Sequence, residues 1–169
     1  MSTHSLLGVR KPDGSITGCY VHFDGYPEHM VDALRHWFAK GGTMTSLQNL
    51  IEEARLVGGL RSFYAPHSDL DAHLRPRNTR SLTTRTSEFL DDYTPAGLDT
   101  QDWDDERALH KWGASYAYLV EDPEHCVARR SHGVDAGRRT RTFRLDSVYH
   151  DPGDSNTNGV QLLNEELHW

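Results

Sequence analysis

The sequence predicts an α+β fold in which a small antiparallel sheet of about four or five strands is packed by two or three helices. Three observations predict it: the N-terminal segment has the pattern of a β-hairpin, two amphipathic helices follow, and further strand patterns occur only in the last third of the chain. Strands and helices are therefore segregated along the chain and do not alternate. That order favours an antiparallel sheet made of the N-terminal hairpin and a C-terminal meander.

The predicted hairpin comprises residues 6–10 and 15–23, joined by Lys11-Pro12-Asp13-Gly14. Proline presets the first corner of such a turn and glycine accepts a positive φ. Alternation along the second strand separates two faces. The face predicted to meet the core carries Thr17, Cys19, Val21 and Phe23; the opposite face carries Ile16, Gly18, Tyr20 and His22.

Two helices are predicted next. Pro27 opens the first helix at a position where its missing N–H costs nothing, and Gly41-Gly42 ends it. Polar residues, Arg35 among them, fall mostly off its apolar stripe. That stripe consists of Met30, Val31, Leu34, Trp37 and Phe38. The second helix is predicted to start at Thr45 with the capping-box pattern. It packs through Leu47, Leu50, Ile51 and Ala54.

The remainder of the chain is expected to complete a single domain spanning residues 1–169. Residues 61–86 are polar and lack either hydrophobic period, which predicts a long loop. Helices are predicted at residues 87–93 and 102–112, strands at 114–120, 126–129 and 140–150, and a polar C-terminal segment at 151–169.

Charge and hydropathy restrict the function classes. The net charge is -7, which argues against a surface built to bind nucleic acid or acidic lipid. The mean hydropathy is -0.70, and no window approaches the roughly 20 apolar residues of a membrane span. The first residues also lack a basic segment followed by an apolar one, so we expect a cytoplasmic protein with no membrane partner.

A candidate binding edge lies where the second strand passes into the first helix. His22, Asp24 and Tyr26 are there, and Arg10 is predicted to line the same edge. Helix N–H groups and side chains can converge on a ligand at such a position, and a His–Asp pair can serve general base catalysis. The same residues also suit a turn and a helix start. Three roles for these residues therefore stay open: a purely structural one, ligand binding and catalysis.

Two further clusters are weaker candidates. An extended chain would place His67, Asp69, Asp71 and His73 on one side, where they could hold a divalent metal. They match no metal motif, and no cofactor motif occurs elsewhere, so no cofactor is expected. The two cysteines, Cys19 and Cys126, have no zinc spacing, and free, buried thiols are expected.

Arginine is concentrated in residues 75–85 and 129–144. Guanidinium groups bind phosphates bidentately, which makes Arg138, Arg139 and Arg141 candidates for contact with a phosphorylated ligand or a nucleic acid. The neighbouring aromatic residues are too few for a base-stacking surface. Neutralisation of the acidic residues in 88–106 is the alternative role of this charge.

The N-terminal half resembles a family of small proteins from tailed bacteriophages and prophages with an N-terminal hairpin and a His-x-Asp-Gly-Tyr-Pro motif. The matching residues are Gly8-Val9-Arg10, Asp13-Gly14-Ser15-Ile16, Gly18-Cys19-Tyr20-Val21-His22 and Asp24-Gly25-Tyr26-Pro27. Ser115-Tyr116-Ala117-Tyr118-Leu119 resembles a later strand of the same family. The similarity covers about residues 8–60 and 114–121, and Phe23 stands where tryptophan is expected.

The resemblance implies a phage-encoded accessory protein that binds a component of the bacterial host and redirects it. The leading hypothesis is non-catalytic binding of a host protein or of a small phosphorylated signal, in host takeover or counter-defence. One alternative is a metal-assisted hydrolase that uses His22 and Asp24. A second alternative is nucleic-acid binding through the two arginine segments.

Overall fold

The computed structural model describes residues 3–56, 59–63, 98–104, 109, 112–131, 140–146 and 169. Within these residues the strands are β1 (Ser5–Arg10), β2 (Ile16–Phe23), β3 (Leu60–Ser62), β4 (Leu98–Asp99), β5 (Tyr116–Asp122), β6 (His125–Arg130) and β7 (Thr140–Arg144). The helices are α1 (Pro27–Ala39), α2 (Met44–Arg55) and α3 (Thr100–Asp104). The predicted α+β class is confirmed.

The strands form one mixed sheet in the order β3-β2-β1-β5-β6-β7, and β4 also pairs with β2. The hairpin β1–β2 and the meander β5–β6–β7 are antiparallel as predicted. The prediction of a wholly antiparallel sheet is wrong, because β1 pairs with β5 and β2 pairs with β3 in parallel. The β2–β3 crossover is made by α1 and α2, which return the chain to the sheet in the original direction.

The hairpin turn forms at the predicted residues, and Gly14 has the predicted positive φ. The amide of Gly14 donates to the carbonyl of Lys11 at 2.9 Å, and Gly14 has a φ of 86°. The carboxylate of Asp13 accepts from the amide of Ser15 at 2.9 Å, which closes the turn with a side chain.

Helices α1 and α2 pack on one face of the sheet. Pro27 is the first residue of α1, and Met30, Val31, Leu34 and Trp37 are all fully buried, as predicted. Arg35 is buried as well, contrary to the prediction, and its Nε donates to the carbonyl of Arg144, the last residue of β7, at 2.8 Å. Helix α2 is capped by Thr43 in a reciprocal box with Ser46, two residues earlier than predicted. Its predicted apolar face is buried.

Both faces of β2 are buried, whereas the sequence predicts a single core face. Cys19 and Val21 meet the helices, and Ile16 and Tyr20 belong to a second apolar cluster on the opposite face. Trp103 of α3 is the large side chain of this second cluster. A Cβ at Gly8 would lie 2.5 Å from its ring and one at Gly18 would lie 3.0 Å from it. The two glycines are register partners, so the hairpin has a groove in which the indole lies.

Some predicted elements are only partly described. In the predicted loop 61–86, residues 61 and 62 are instead part of β3 and Phe63 is buried; residues 64–86 lie outside the described residues. The predicted helix 87–93 and residues 151–168 also lie outside them. The predicted helix 102–112 is represented by α3, which begins at Thr100. No helix in the described part of the chain has the length and apolar character needed to cross a membrane.

Candidate binding site at one end of the sheet

The predicted edge residues occupy two ends of the hairpin. His22, Asp24 and Tyr26 lie where β2 passes into α1, whereas Arg10 pairs in register with Ile16 at the other end. His22 is six residue steps along the strand from Ile16, or about 20 Å at roughly 3.3 Å per step. Arg10 there donates to the carboxylate of Glu121 at 2.5 Å. The structure therefore does not bring Arg10 together with the other three residues.

The strand-to-helix turn is held by its own polar groups. Asp24 has a positive φ of 57°, and its carboxylate accepts from the Ser62 hydroxyl at 3.0 Å. The carbonyl of His22 accepts from Nδ1 of His4 at 2.7 Å, which assigns the proton of His4 to Nδ1 because a carbonyl only accepts. Tyr26 is the N-cap residue of α1 and is 41 % exposed. These contacts fit the turn role that the sequence left open.

The same turn is tied to the starts of β1 and β5. The amide of Gly25 donates to the carbonyl of Thr3 at 2.9 Å, and the buried Tyr118 hydroxyl donates to the carbonyl of Gly25 at 2.7 Å. Burial is the main cause that raises the pKa of Tyr118 well above its usual value, so this hydroxyl stays a donor at neutral pH. The turn therefore positions Thr3.

Replacing Tyr118 with phenylalanine tests this connection. We expect the free energy of unfolding to fall by about 1–3 kcal/mol, because the carbonyl of Gly25 loses its buried donor. Urea unfolding measures the loss. Tyr116→Phe is the matched control, since Tyr116 is only partly buried, and it should have the smaller effect. Equal losses in the two variants would contradict the assigned role.

Beside this turn an open cavity of about 340 Å³ is lined by Thr3, Ser115, Tyr116, Arg130 and Ser131. The register explains the convergence, because Ser5 pairs with Tyr116 and Tyr116 pairs with Arg130. The backbone continues this pairing beyond the strands. The amide of Ser115 donates to the carbonyl of His4, and the amide of Ser131 donates to the carbonyl of Ser115, each at 2.9 Å.

The lining groups are suited to an anion. Among the described residues, the lining consists of four hydroxyl-bearing residues and one arginine, and none of these five carries a carboxylate. Nε of Arg130 and Oγ of Ser131 are buried, and neither forms a hydrogen bond within the described residues. Buried polar atoms of this kind are nearly always paired, because leaving them unpaired costs about 1–3 kcal/mol each. Two residues of the cavity lining therefore each carry a polar atom that no described residue satisfies.

Aromatic rings flank the cationic side of the cavity. The guanidinium of Arg130 lies 5.5 Å from the centre of the Trp169 ring, within cation–π range. The rings of Trp169 and Tyr116 are 5.9 Å apart, and Tyr116 stacks on Tyr118 at 6.2 Å. The pKa of Tyr116 is raised chiefly by burial and also by the charge of Glu28, while Arg130 lowers it. The hydroxyl of Tyr116 is therefore neutral at physiological pH.

Among the candidate arginines, Arg141 lies on β7 with its guanidinium 5.0 Å from the Phe143 ring centre. It pairs with Ala128, which places it on the same sheet face as Arg130 but outside the cavity lining. Arg138 and Arg139 lie outside the described residues.

The predicted metal ligands His67, Asp69, Asp71 and His73 also lie outside the described residues. Across the residues that are described, no three His, Cys, Asp or Glu side chains are grouped so as to hold a metal ion. Cys19 and Cys126 are free and buried, as predicted. Burial raises the pKa of Cys19 to about 12 and that of Cys126 further, so both thiols are protonated and unreactive at neutral pH.

The cavity was not found by sequence reasoning. Arg130 belongs to the predicted arginine segment 129–144, but the hydroxyl residues that accompany it were not predicted. Ser115 and Ser131 lie directly outside the observed strands β5 and β6, but the predicted strands 114–120 and 126–129 did not mark these positions, so the sequence carried no clear signal for them. Neither protein-family models nor curated proteins nor solved structures match this chain. The resemblance to phage proteins thus stays a prediction.

Proposed function

We propose that this protein binds a small phosphorylated molecule, without turnover, in the cavity between the starts of β1 and β5 and the end of β6. One observation carries the proposal: Arg130 and Ser131 line the cavity, and each has a buried polar atom, Nε and Oγ respectively, that forms no hydrogen bond within the described residues. A phosphate would accept from both groups. Its negative charge would also compensate the partly desolvated guanidinium.

The size and lining of the cavity favour a small ligand over a protein surface. Its volume of about 340 Å³ lies at the lower end of the range for small-molecule sites, about 300–1,000 Å³. The hydroxyls of Thr3, Ser115 and Ser131 supply neutral donors around a single cation. A tetrahedral anion accepts from several directions at once, which suits this arrangement.

The resemblance to phage proteins supports a biological setting for this binding. In our proposal the protein acts in the cytoplasm of an infected bacterium and withdraws a phosphorylated host signal from its usual receptor. Such sequestration requires affinity and no catalytic group. It would also give a small phage-encoded accessory protein an effect on the host.

Titration calorimetry with ribose 5-phosphate tests the proposal. Arg130→Gln should weaken binding by about 10-fold to 150-fold, the loss of a hydrogen bond to a charged group of about 1.5–3 kcal/mol. Ser131→Ala should weaken it by a similar factor of about 10-fold to 150-fold, because its hydroxyl donates to the same charged phosphate. Arg141→Gln is the matched control, because Arg141 shares the sheet face but does not line the cavity.

Two outcomes would overturn this function. Equal affinity in the Arg130 and Arg141 variants would mean that general positive charge, and not the cavity, attracts the ligand. Release of orthophosphate from ribose 5-phosphate, followed by ³¹P NMR, would favour the hydrolase alternative if chelation abolished it.

A further inference from the structure

The aromatic rings beside Arg130 indicate the chemical class of the ligand. This inference rests on the proposed function. Tyr116 lines the cavity, while Trp169 lies against both Tyr116 and the guanidinium of Arg130. Tyr116 and Arg130 are register partners on β5 and β6, so an aromatic ring and the guanidinium adjoin in the cavity lining. Orthophosphate would use the guanidinium and the hydroxyls but would leave the aromatic side without a contact.

We propose that the ligand is a nucleoside monophosphate, whose phosphate is bound by Arg130 and Ser131 and whose base lies against the aromatic side at Tyr116. A planar guanidinium binds phosphate through its edge and stacks on flat rings through its face. Arg130 already presents its guanidinium over Trp169, so its geometry permits both kinds of contact. Tyrosine and tryptophan rings accept any base, since every base has a π face.

The size of the cavity also points to this class. A volume of about 340 Å³ admits a ligand larger than a single phosphate group, yet it lies near the minimum of small-molecule sites. A mononucleotide joins one anionic group to one planar ring through a short sugar. These are the two features for which the cavity has complementary groups.

The first experiment compares four ligands on the wild-type protein by titration calorimetry. They are adenosine 5′-monophosphate, ribose 5-phosphate, adenosine and a ten-nucleotide single strand without a terminal phosphate. A stacked base contributes about 1–3 kcal/mol, so the mononucleotide should bind about 5-fold to 150-fold more tightly than ribose 5-phosphate. Adenosine should bind more weakly than the mononucleotide by at least the factor that Arg130→Gln removes, because it lacks the phosphate that Arg130 and Ser131 bind.

Ring removal provides the second experiment. Tyr116→Leu should bring the affinity for the mononucleotide close to that for ribose 5-phosphate, whereas Tyr116→Phe, which keeps the ring, should preserve the difference. Saturation-transfer NMR should show stronger transfer of magnetisation to the base protons in wild type and Tyr116→Phe than in Tyr116→Leu. Thermal unfolding checks that each variant is folded. The comparison of the four ligands on the wild-type protein does not depend on any variant.

The possible outcomes distinguish failure of the nucleotide proposal from failure of the proposed phosphate binding. Equal affinities for the mononucleotide and ribose 5-phosphate would overturn the inference and leave phosphate binding intact. Failure of both phosphorylated compounds to bind would overturn both. Tighter binding of the oligonucleotide, with a steep dependence on salt, would identify nucleic acid as the ligand and overturn the free nucleotide.

Discussion

Replacing Trp103 with alanine is expected to lower the free energy of unfolding by about 3–5 kcal/mol, the range for deleting a buried aromatic side chain. Trp103 is only 6 % exposed and packs on the sheet face opposite α1 and α2. Its carbonyl also accepts from the guanidinium of Arg129 at 2.6 Å, so α3 is bonded to β6 at the same place. Urea unfolding followed by circular dichroism measures the loss.

The groove beneath the indole makes this prediction specific. Gly8→Ala should destabilise the wild type by about 1–3 kcal/mol, because its Cβ would lie 2.5 Å from the Trp103 ring. The same change in a Trp103→Ala background should cost much less, since the ring is gone and only the carbonyl oxygen of Thr17, at 3.2 Å, stays close. Trp112→Ala is the control, because Trp112 packs on the same cluster but is not the ring over Gly8. An undiminished Gly8→Ala loss in the Trp103→Ala background would contradict the packing.

Alkaline pH is expected to unfold the protein through its two buried thiols. Burial raises the pKa of Cys19 from 9.0 to about 12, and that of Cys126 is raised further. A group whose folded pKa is raised contributes its full stability below the unfolded pKa and loses it as pH rises toward the folded value. Above pH 9.0 the unfolded chain releases both protons and the folded chain retains them. The free energy of unfolding should then fall by about 1.4 kcal/mol per pH unit for each thiol.

The quantity to measure is the change in the free energy of unfolding per pH unit, because this slope does not depend on the absolute stability of a variant. Urea unfolding at several pH values between 8 and about 10.5 should give the two-thiol slope in the wild type. Cys19→Ala should remove about half of it, and the Cys19→Ala/Cys126→Ala double variant should leave only the contribution of tyrosines such as Tyr118 near the upper limit. A wild-type slope unchanged in the double variant would show that other groups control alkaline unfolding.

Local patterns in the sequence predicted the hairpin, both long helices and the faces on which they pack. Those features follow from the residues of one segment, such as the apolar spacing around Leu34 or the turn at Pro12. The pairing of β1 with β5 joins segments more than 100 residues apart, and no local pattern encodes it. The antiparallel prediction therefore failed at this junction.

The cavity depends on the same distant pairing. The register of β1 with β5 and of β5 with β6 brings Thr3, Tyr116 and Arg130 together, and each looks ordinary in its own segment. The sequence did contain one signal of the packing on the hairpin, the glycine pair Gly8 and Gly18. Gly8 and Gly18 lie on opposite sides of the predicted turn and pair in register, and two opposed glycines in a hairpin indicate that a bulky group passes over the strands.

The parallel junction between β1 and β5 also determines when the protein becomes able to bind. The hairpin, α1 and α2 contain mostly near-neighbour contacts, and these form quickly in a folding chain. The cavity requires Thr3 to meet Ser131, so it is absent from a nascent chain until β5 and β6 have left the ribosome and joined β1. Ligand present at that stage would bind only the joined state and would favour completion of the sheet by mass action.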